Sequence, residues 1–178
     1  LGFWDTDGSV AWSSAIDKAD FKPDVTTFAG ITQFTSVTGD IILIKGHGRG
    51  FVIYAKSSIT LVTPTTSQER WTSRSIMNNC GIQHTTQVAL GADDSTHYCW
   101  TTSGMYVIID GAPKLFEPDF YDAYSRRAVT TMLKMTGNRF LSVAIANRAR
   151  DSGADRYARV VYDGAGNPLT LRPLEPGR

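Results

Sequence analysis

The sequence predicts an all-β fold built from propeller-like repeats of four-stranded antiparallel blades, with about three such blades in a fragment of a larger chain. Three observations predict it. Short runs rich in β-branched and aromatic residues alternate with Gly- and Asp-containing turns along most of the 178 residues. Helical periodicity is scarce. The first strands of three successive sets begin near Ile41, Thr85 and Val129, about 44 residues apart each time, and second strands near Gly50, Thr96 and Arg139 keep almost the same period. A single four-stranded blade cannot bury both of its faces, whereas stacked neighbours can. The alternative is a β-sandwich whose hairpins happen to be evenly spaced.

Taken in order, residues 1–38 read as an extended N-terminal arm with a first strand, in which Trp4, Trp12 and Phe21 are spread among polar residues. The first blade spans 39–80. Ile41–Lys45 and Phe51–Ala55 are apolar runs joined by a Gly-rich loop, Gly46-His47-Gly48-Arg49-Gly50, which together spell a hairpin. Lys56-Ser57-Ser58 turns into Ile59–Val62, and Arg70–Ile76 supplies a more polar fourth strand. The second blade, 81–127, runs through Thr85–Leu90, the turn Gly91–Asp94, Thr96–Thr101, Ser103-Gly104, Met105–Ile109, the turn Asp110–Pro113 and Lys114–Phe116. Glu117–Tyr124 would form one short helical turn, since Pro and Asp suit a first turn. The third blade, 128–178, has strands from Val129, over Arg139–Ala146, over Tyr157–Tyr162 and over Leu169–Leu171. Asn147–Asp155 is its long exposed loop, and Asp163–Pro168 its last turn.

Composition narrows the function classes. Hydrophobic residues at 42% and charged residues at 20% exclude a disordered chain, and no apolar run approaches a bilayer span. Eighteen basic against 17 acidic residues leave a net charge of +1, which offers no electrostatic footprint for a specific nucleic-acid groove or a membrane surface. Leu1-Gly2-Phe3-Trp4 is too short for a signal peptide, and the start at Leu1 without Met reads as a segment of a longer polypeptide or a processed product. Two cysteines, Cys80 and Cys99, are too few for a disulfide scaffold and are expected as thiols in a reducing compartment.

Candidate chemistry is thin. Gly46-x-Gly48-x-Gly50 lacks the helix that a dinucleotide site needs and the Lys-Ser/Thr of a P-loop, so it reads as a turn. Asp5-Thr6-Asp7-Gly8 opens like a calcium loop, but Ile16 stands where the twelfth-position Glu belongs. His97 and Cys99 alternate on one strand beside Asp93 and Asp94, yet a zinc site would have to recruit His84 and Cys80 from elsewhere. The carboxylate pairs Asp93-Asp94 and Asp119-Asp122 lie in turns, where Asp is expected for backbone reasons. Asp7-Gly8-Ser9-Val10-Ala11-Trp12 is a single incomplete sialidase-type box, and no G-x-S-x-G elbow is present. The reading is of a non-catalytic protein with no cofactor, no metal and no small-molecule substrate. A second hypothesis is a carbohydrate- or receptor-binding propeller of a virion or cell surface, stacking sugars on Trp71, Tyr98, Trp100, Tyr106 and Tyr121, residues that strand-face packing also explains.

From Gly39 to Phe116 the order of signals is distinctive. It runs through Gly39-Asp40, an apolar strand, a Gly-rich loop, Phe51-Val52-Ile53-Tyr54, Lys56-Ser57-Ser58-Ile59-Thr60-Leu61 and a Trp71-bearing polar segment. Cys80-Gly81-Ile82, Gly104-Met105-Tyr106-Val107-Ile108 and Gly111-Ala112-Pro113-Lys114-Leu115 follow. This resembles the propeller-bearing tail nozzle, tail-stabilisation or tail-tubular type proteins of tailed bacteriophages, as does the upstream Val10-Ala11-Trp12-Ser13 with Asp20-Phe21-Lys22-Pro23. The segment Thr63–Glu69 and the tail from Asn147 depart from the pattern. The resemblance implies a structural role in the virion tail, assembled in the host cytoplasm. It also implies a ring of copies, a homohexamer about the tail axis, against other tail proteins, with DNA passing nearby.

Overall fold

A computed structural model of the chain describes residues 2–4, 9–14, 16–66, 70–91, 93, 95–116, 118, 128–136, 140–147, 156–162 and 168–173, with 2–4 and 128–173 described by backbone alone. Strands occupy 51% of the chain and helix 4%, so the all-β class is correct. The chain divides into two compact units, Leu1–Gln83 and His84–Arg178.

The first unit holds two sheets. One is three-stranded, in the order β1 (Gly2–Trp4), β2 (Ser9–Trp12), β3 (Gly30–Gln33). The other is a four-stranded antiparallel meander of β4 (Ile41–His47), β5 (Gly50–Ala55), β6 (Ser58–Pro64) and β7 (Trp71–Asn78). Both faces of its central strands are covered, since Val52 to Ala55 and Ser58 to Val62 are all buried, with Ser58 and Thr60 the polar members of the second run. One face joins Ile41, Ile53 and Val62 to Val10 and Phe34, with Val37, Ile44, Phe51 and Trp71 packed around them. Phe51 sits edge-on to Phe34 and to Trp71, at centroid distances of 6.1 and 5.2 Å.

The N-terminal segment is therefore not the extended arm that its scattered aromatics suggest. Val10 and Phe34 bring it into the core of the first unit, and the removal of that apolar area from water outweighs the polar residues between them. Further along, Ser57 donates its N–H to the Thr38 carbonyl at 3.2 Å and the Ser58 hydroxyl accepts from the Thr38 N–H at 2.7 Å. Residues 36–40 are thus strapped to the β5–β6 turn.

The Gly-rich loop is tighter than five glycine-punctuated residues suggest. Gly46 and His47 continue the ladder opposite Phe51 and Gly50, and only Gly48-Arg49 turn. Gly48 has a φ of 55° and Arg49 is not left-handed, the pattern of a II′ hairpin with glycine first. Replacing Gly48 by alanine is expected to cost about 1–2 kcal/mol through the left-handed backbone alone, since no atom lies within 4 Å of the added methyl. A urea midpoint unchanged from the parent chain would refute this.

The second unit contains β8 (Val88–Leu90), β9 (Thr96–Trp100), β10 (Met105–Ile109) and β11 (Ala112–Leu115) in one antiparallel meander. Another meander follows, with β12 (Ala128–Thr136), β13 (Phe140–Asn147), β14 (Arg156–Tyr162) and β15 (Pro168–Pro173). A strand from Thr85 is expected from composition, but Thr85–Gln87 is a 3-10 turn. The Gln87 side-chain oxygen accepts from the His84 N–H at 2.9 Å, a local closure that competes with a ladder. The β10–β11 hairpin turns on Asp110-Gly111, both at positive φ, as an Asp-Gly I′ turn requires. The expected helical turn at Glu117–Tyr124, the loop after Asn147 and the turn at Asp163–Pro168 fall largely outside the described residues.

Candidate functional site

The loop between β2 and β3, residues 13–29, is organised by a run of aspartates. Asp17 accepts from the Ala19 N–H at 2.9 Å, Asp20 from the Lys22 N–H at 2.9 Å and Asp24 from the Thr26 N–H at 2.6 Å. Each is an Asx turn, in which the carboxylate replaces a backbone acceptor two residues upstream. Asp24 also accepts from the Thr27 N–H at 3.3 Å, and its own N–H donates to the Ala29 carbonyl at 3.2 Å.

This loop and β3 wall a groove of roughly 400 Å³ lined by Trp12, Pro23–Val25, Ala29–Thr32 and Arg70. Trp12 closes one side. Its indole N–H donates to the Phe28 carbonyl at 2.7 Å, its ring stands edge-on to Trp71 at 5.9 Å, and its six-membered ring fills the space a Cβ at Gly30 would need. Arg70 forms another wall, with its guanidinium 4.8 Å from the centre of the Phe28 ring and 3.4 Å from the Val25 carbonyl. Phe28 and Arg70 both have left-handed backbones, at φ of 63° and 60°. Such strain in bulky residues persists only where surrounding contacts hold it.

The Asp24 carboxyl is held below the ordinary carboxylate range, first by the Thr26 backbone and side-chain hydrogen bonds and then by the Thr27 N–H. Because the folded value is lowered, the turn contributes fully above the ordinary Asp value of about 4 and is lost as pH falls through the lower, folded one. The Thr26 and Thr27 amide resonances are expected to hold steady from neutral pH down to about 4 and to move only below it. Movement centred above that value would contradict the turn.

The residues singled out in the sequence do not assemble into a catalytic or metal centre. His97 and Cys99 lie on the same side of β9, and both are fully buried. Asp93 is exposed, where it accepts from the Ser95 N–H at 3.0 Å, and its carboxyl is lowered chiefly by the Thr96 side chain. His84 is the N-cap of the 3-10 turn, and Cys80 is a buried thiol. Among the described residues no three His, Cys, Asp or Glu side chains are grouped to hold a metal. Asp5–Gly8, Asp94, Asp119, Asp122 and Tyr121 lie outside the described residues.

The aromatic set is engaged in packing. Trp100 is only 4% exposed, Tyr98 stands edge-on to Phe116 at 5.6 Å, Tyr106 covers Gly104, and Trp71 lies against Phe51 and Trp12. Burial raises the Tyr98 hydroxyl above its ordinary pKa. Sequence reasoning misses Trp12 and Arg70 as groove residues. The repeated Asp-x-Lys/Ala/Thr spacing at 17, 20 and 24 is the available signal that this loop is ordered.

No protein-family model matches the chain, and no curated protein matches it.

Proposed function

We propose that this chain is a non-catalytic structural module of a bacteriophage tail, built of propeller-like blades that pack laterally with further copies and other tail proteins. The observation that carries the reading is the succession of three four-stranded antiparallel meanders, β4–β7, β8–β11 and β12–β15, with strands adjacent in chain order. Sequential meanders at a blade-like pitch build an assembly scaffold by repetition. The burial of both faces of β5 and β6 suits a sheet stacked between neighbours. The run of residues from Gly39 to Phe116 that resembles tail nozzle and tail-tubular proteins adds the identity of the assembly. In that assembly the copies form a six-membered ring around the path of the DNA, and the chain contributes contacts rather than chemistry. The near-zero net charge fits close lateral packing, because like-charged copies would repel one another.

Electron microscopy of virions labelled with an antibody raised against residues 39–116 tests the reading. Label is expected in a ring at the tail. Label on the capsid, on detached fibres or on no virion structure would reject it.

A further inference from the structure

The groove beside Arg70 has a property that an ordinary surface dimple lacks. Ala29, Gly30, Ile31 and Thr32 line it consecutively. Side chains of a strand alternate between faces, so a cavity on one face is lined by every second residue. Three consecutive lining residues of β3, Gly30 to Thr32, with Ala29 just before them, place the groove along the backbone edge of the strand. β3 is the terminal strand of its sheet, in the order β1-β2-β3, so among the described strands that edge carries no ladder. Edge strands offer alternate N–H and C=O groups to any extended segment that reaches them.

The surroundings specify what such a segment would carry. Val25 at 83%, Phe28 at 57% and Ile31 at 60% exposed form an apolar rim, more than scattered surface residues explain when they gather at one groove. Arg70 supplies a positive charge whose described contacts are the Phe28 ring and a backbone carbonyl. Among the described residues no carboxylate lies within ion-pair distance of it. The nearby Asp24 carboxylate is committed to the Thr26 and Thr27 N–H groups. The arrangement suits a peptide better than a sugar, because the groove follows a strand edge whose N–H and C=O groups pair with an extended chain, while the Trp12 ring beside it is engaged with Gly30 and, edge-on, with Trp71.

We propose that the β3 edge groove receives an extended segment of a partner protein, which adds to β3 as a further strand and places a carboxylate on Arg70. The three lining residues of β3, Gly30 to Thr32, accommodate a strand stretch of about 10 Å. The Asp24–Ala29 hydrogen bond closes one end, so the segment enters from the Thr32 side. Phe28 and Arg70, braced against each other in left-handed conformations, hold the guanidinium in place before binding. The inference stands independently of the tail assignment, since it concerns one edge of one sheet.

The test is a titration of the isotope-labelled 178-residue chain with acetyl-Thr-Val-Glu-Val-Thr-amide, followed by backbone amide shifts. Shifts are expected at Val25–Gln33 and Arg70. The peptide with Lys in place of Glu is expected to bind at least tenfold more weakly, as is the same peptide N-methylated at every residue, which keeps its side chains but has no N–H left on either edge to pair with β3. Arg70→Met is expected to remove the preference for Glu over Lys. If that variant fails to fold, the Glu-to-Lys peptide exchange tests the same contact on the unaltered protein. Absence of shifts up to millimolar peptide, shifts elsewhere, or equal binding of the N-methylated peptide would overturn the proposal. So would saturation of the same residues by an oligosaccharide, or self-pairing of β3 seen as a dimer in sedimentation.

Discussion

Gly81→Ala is expected to cost the first unit about 4 kcal/mol of stability. The segment 80–82 lies directly on the β5–β6 turn: Cys80 donates its N–H to the Ser57 carbonyl at 3.1 Å, and Ile82 to the Ala55 carbonyl at 3.0 Å. A methyl at residue 81 would sit 2.5 and 2.6 Å from the carbonyl carbon and oxygen of Lys56, and closer still to the Ala55 carbonyl oxygen. All three are backbone atoms of a paired hairpin and cannot rotate away. The segment must lift instead, breaking both hydrogen bonds and exposing Ile82 and Cys80, which are 0% and 4% exposed. Overpacking costs about 1–3 kcal/mol, and unburying an isoleucine adds about 2 kcal/mol. A total near 4 kcal/mol is a large part of the 5–15 kcal/mol that holds an ordinary domain folded. Gly46→Ala is the matched control, because nothing lies within 4 Å of its added methyl and its backbone is not left-handed. Urea denaturation followed by tryptophan fluorescence should show Gly46→Ala within about 0.5 kcal/mol of the parent and Gly81→Ala about 4 kcal/mol less stable. Equal midpoints would mean that residues 80–82 do not dock as described.

Ile53→Ala carries the next largest effect and asks whether the N-terminal segment belongs to the core. Ile53 is fully buried and shares its cluster with Val10 and Phe34 as well as with Ile41 and Val62. Truncating it leaves a cavity bounded by side chains from strands that cannot collapse independently. A loss of about 3–4 kcal/mol is expected, against about 1 kcal/mol for Ile53→Val. Ile31→Ala, at a residue 60% exposed on β3, should cost well under 1 kcal/mol. Trp71 packs against the cluster and Trp12 against Trp71, so their emission reports the transition. A loss below 1 kcal/mol for Ile53→Ala would show that Val10 and Phe34 do not pack on this face.

Much of the strand layout is legible in the residues themselves. The runs Ile41–Lys45, Phe51–Ala55, Ile59–Val62, Thr96–Thr101 and Met105–Ile109 each fall within a residue or two of observed strands, because β-branched and aromatic residues bounded by glycine admit little else. Sequence and structure part where a local polar contact or a continued ladder decides the backbone. Thr85 looks strand-forming, yet the His84–Gln87 closure bends it into a 3-10 turn. Gly46 and His47 look like loop, yet Phe51 and Gly50 pair with them. Residues 13–29 lack periodicity and so suggest an arm, whereas their order comes from Asx turns and from the burial of the residues that flank them.

The candidate groove is invisible in the sequence for a different reason. Trp12, Asp24, Ile31 and Arg70 carry no spacing that links them, since they come from β2, a loop, β3 and the residue before β7. Sequence by itself determined the all-β class and the division into short hairpin-connected strands, because runs of β-branched and aromatic residues and the turn residues that bound them are local signals that each segment expresses alone. Only the tertiary structure decided that Val10 and Phe34 are core, that segment 80–82 lies against a hairpin with no room for a methyl, and that a strand edge unladdered among the described residues meets an arginine. Those depend on which distant surfaces exclude water together, and burial of apolar area is non-directional, so no residue records in its own neighbourhood the partner it will be packed against.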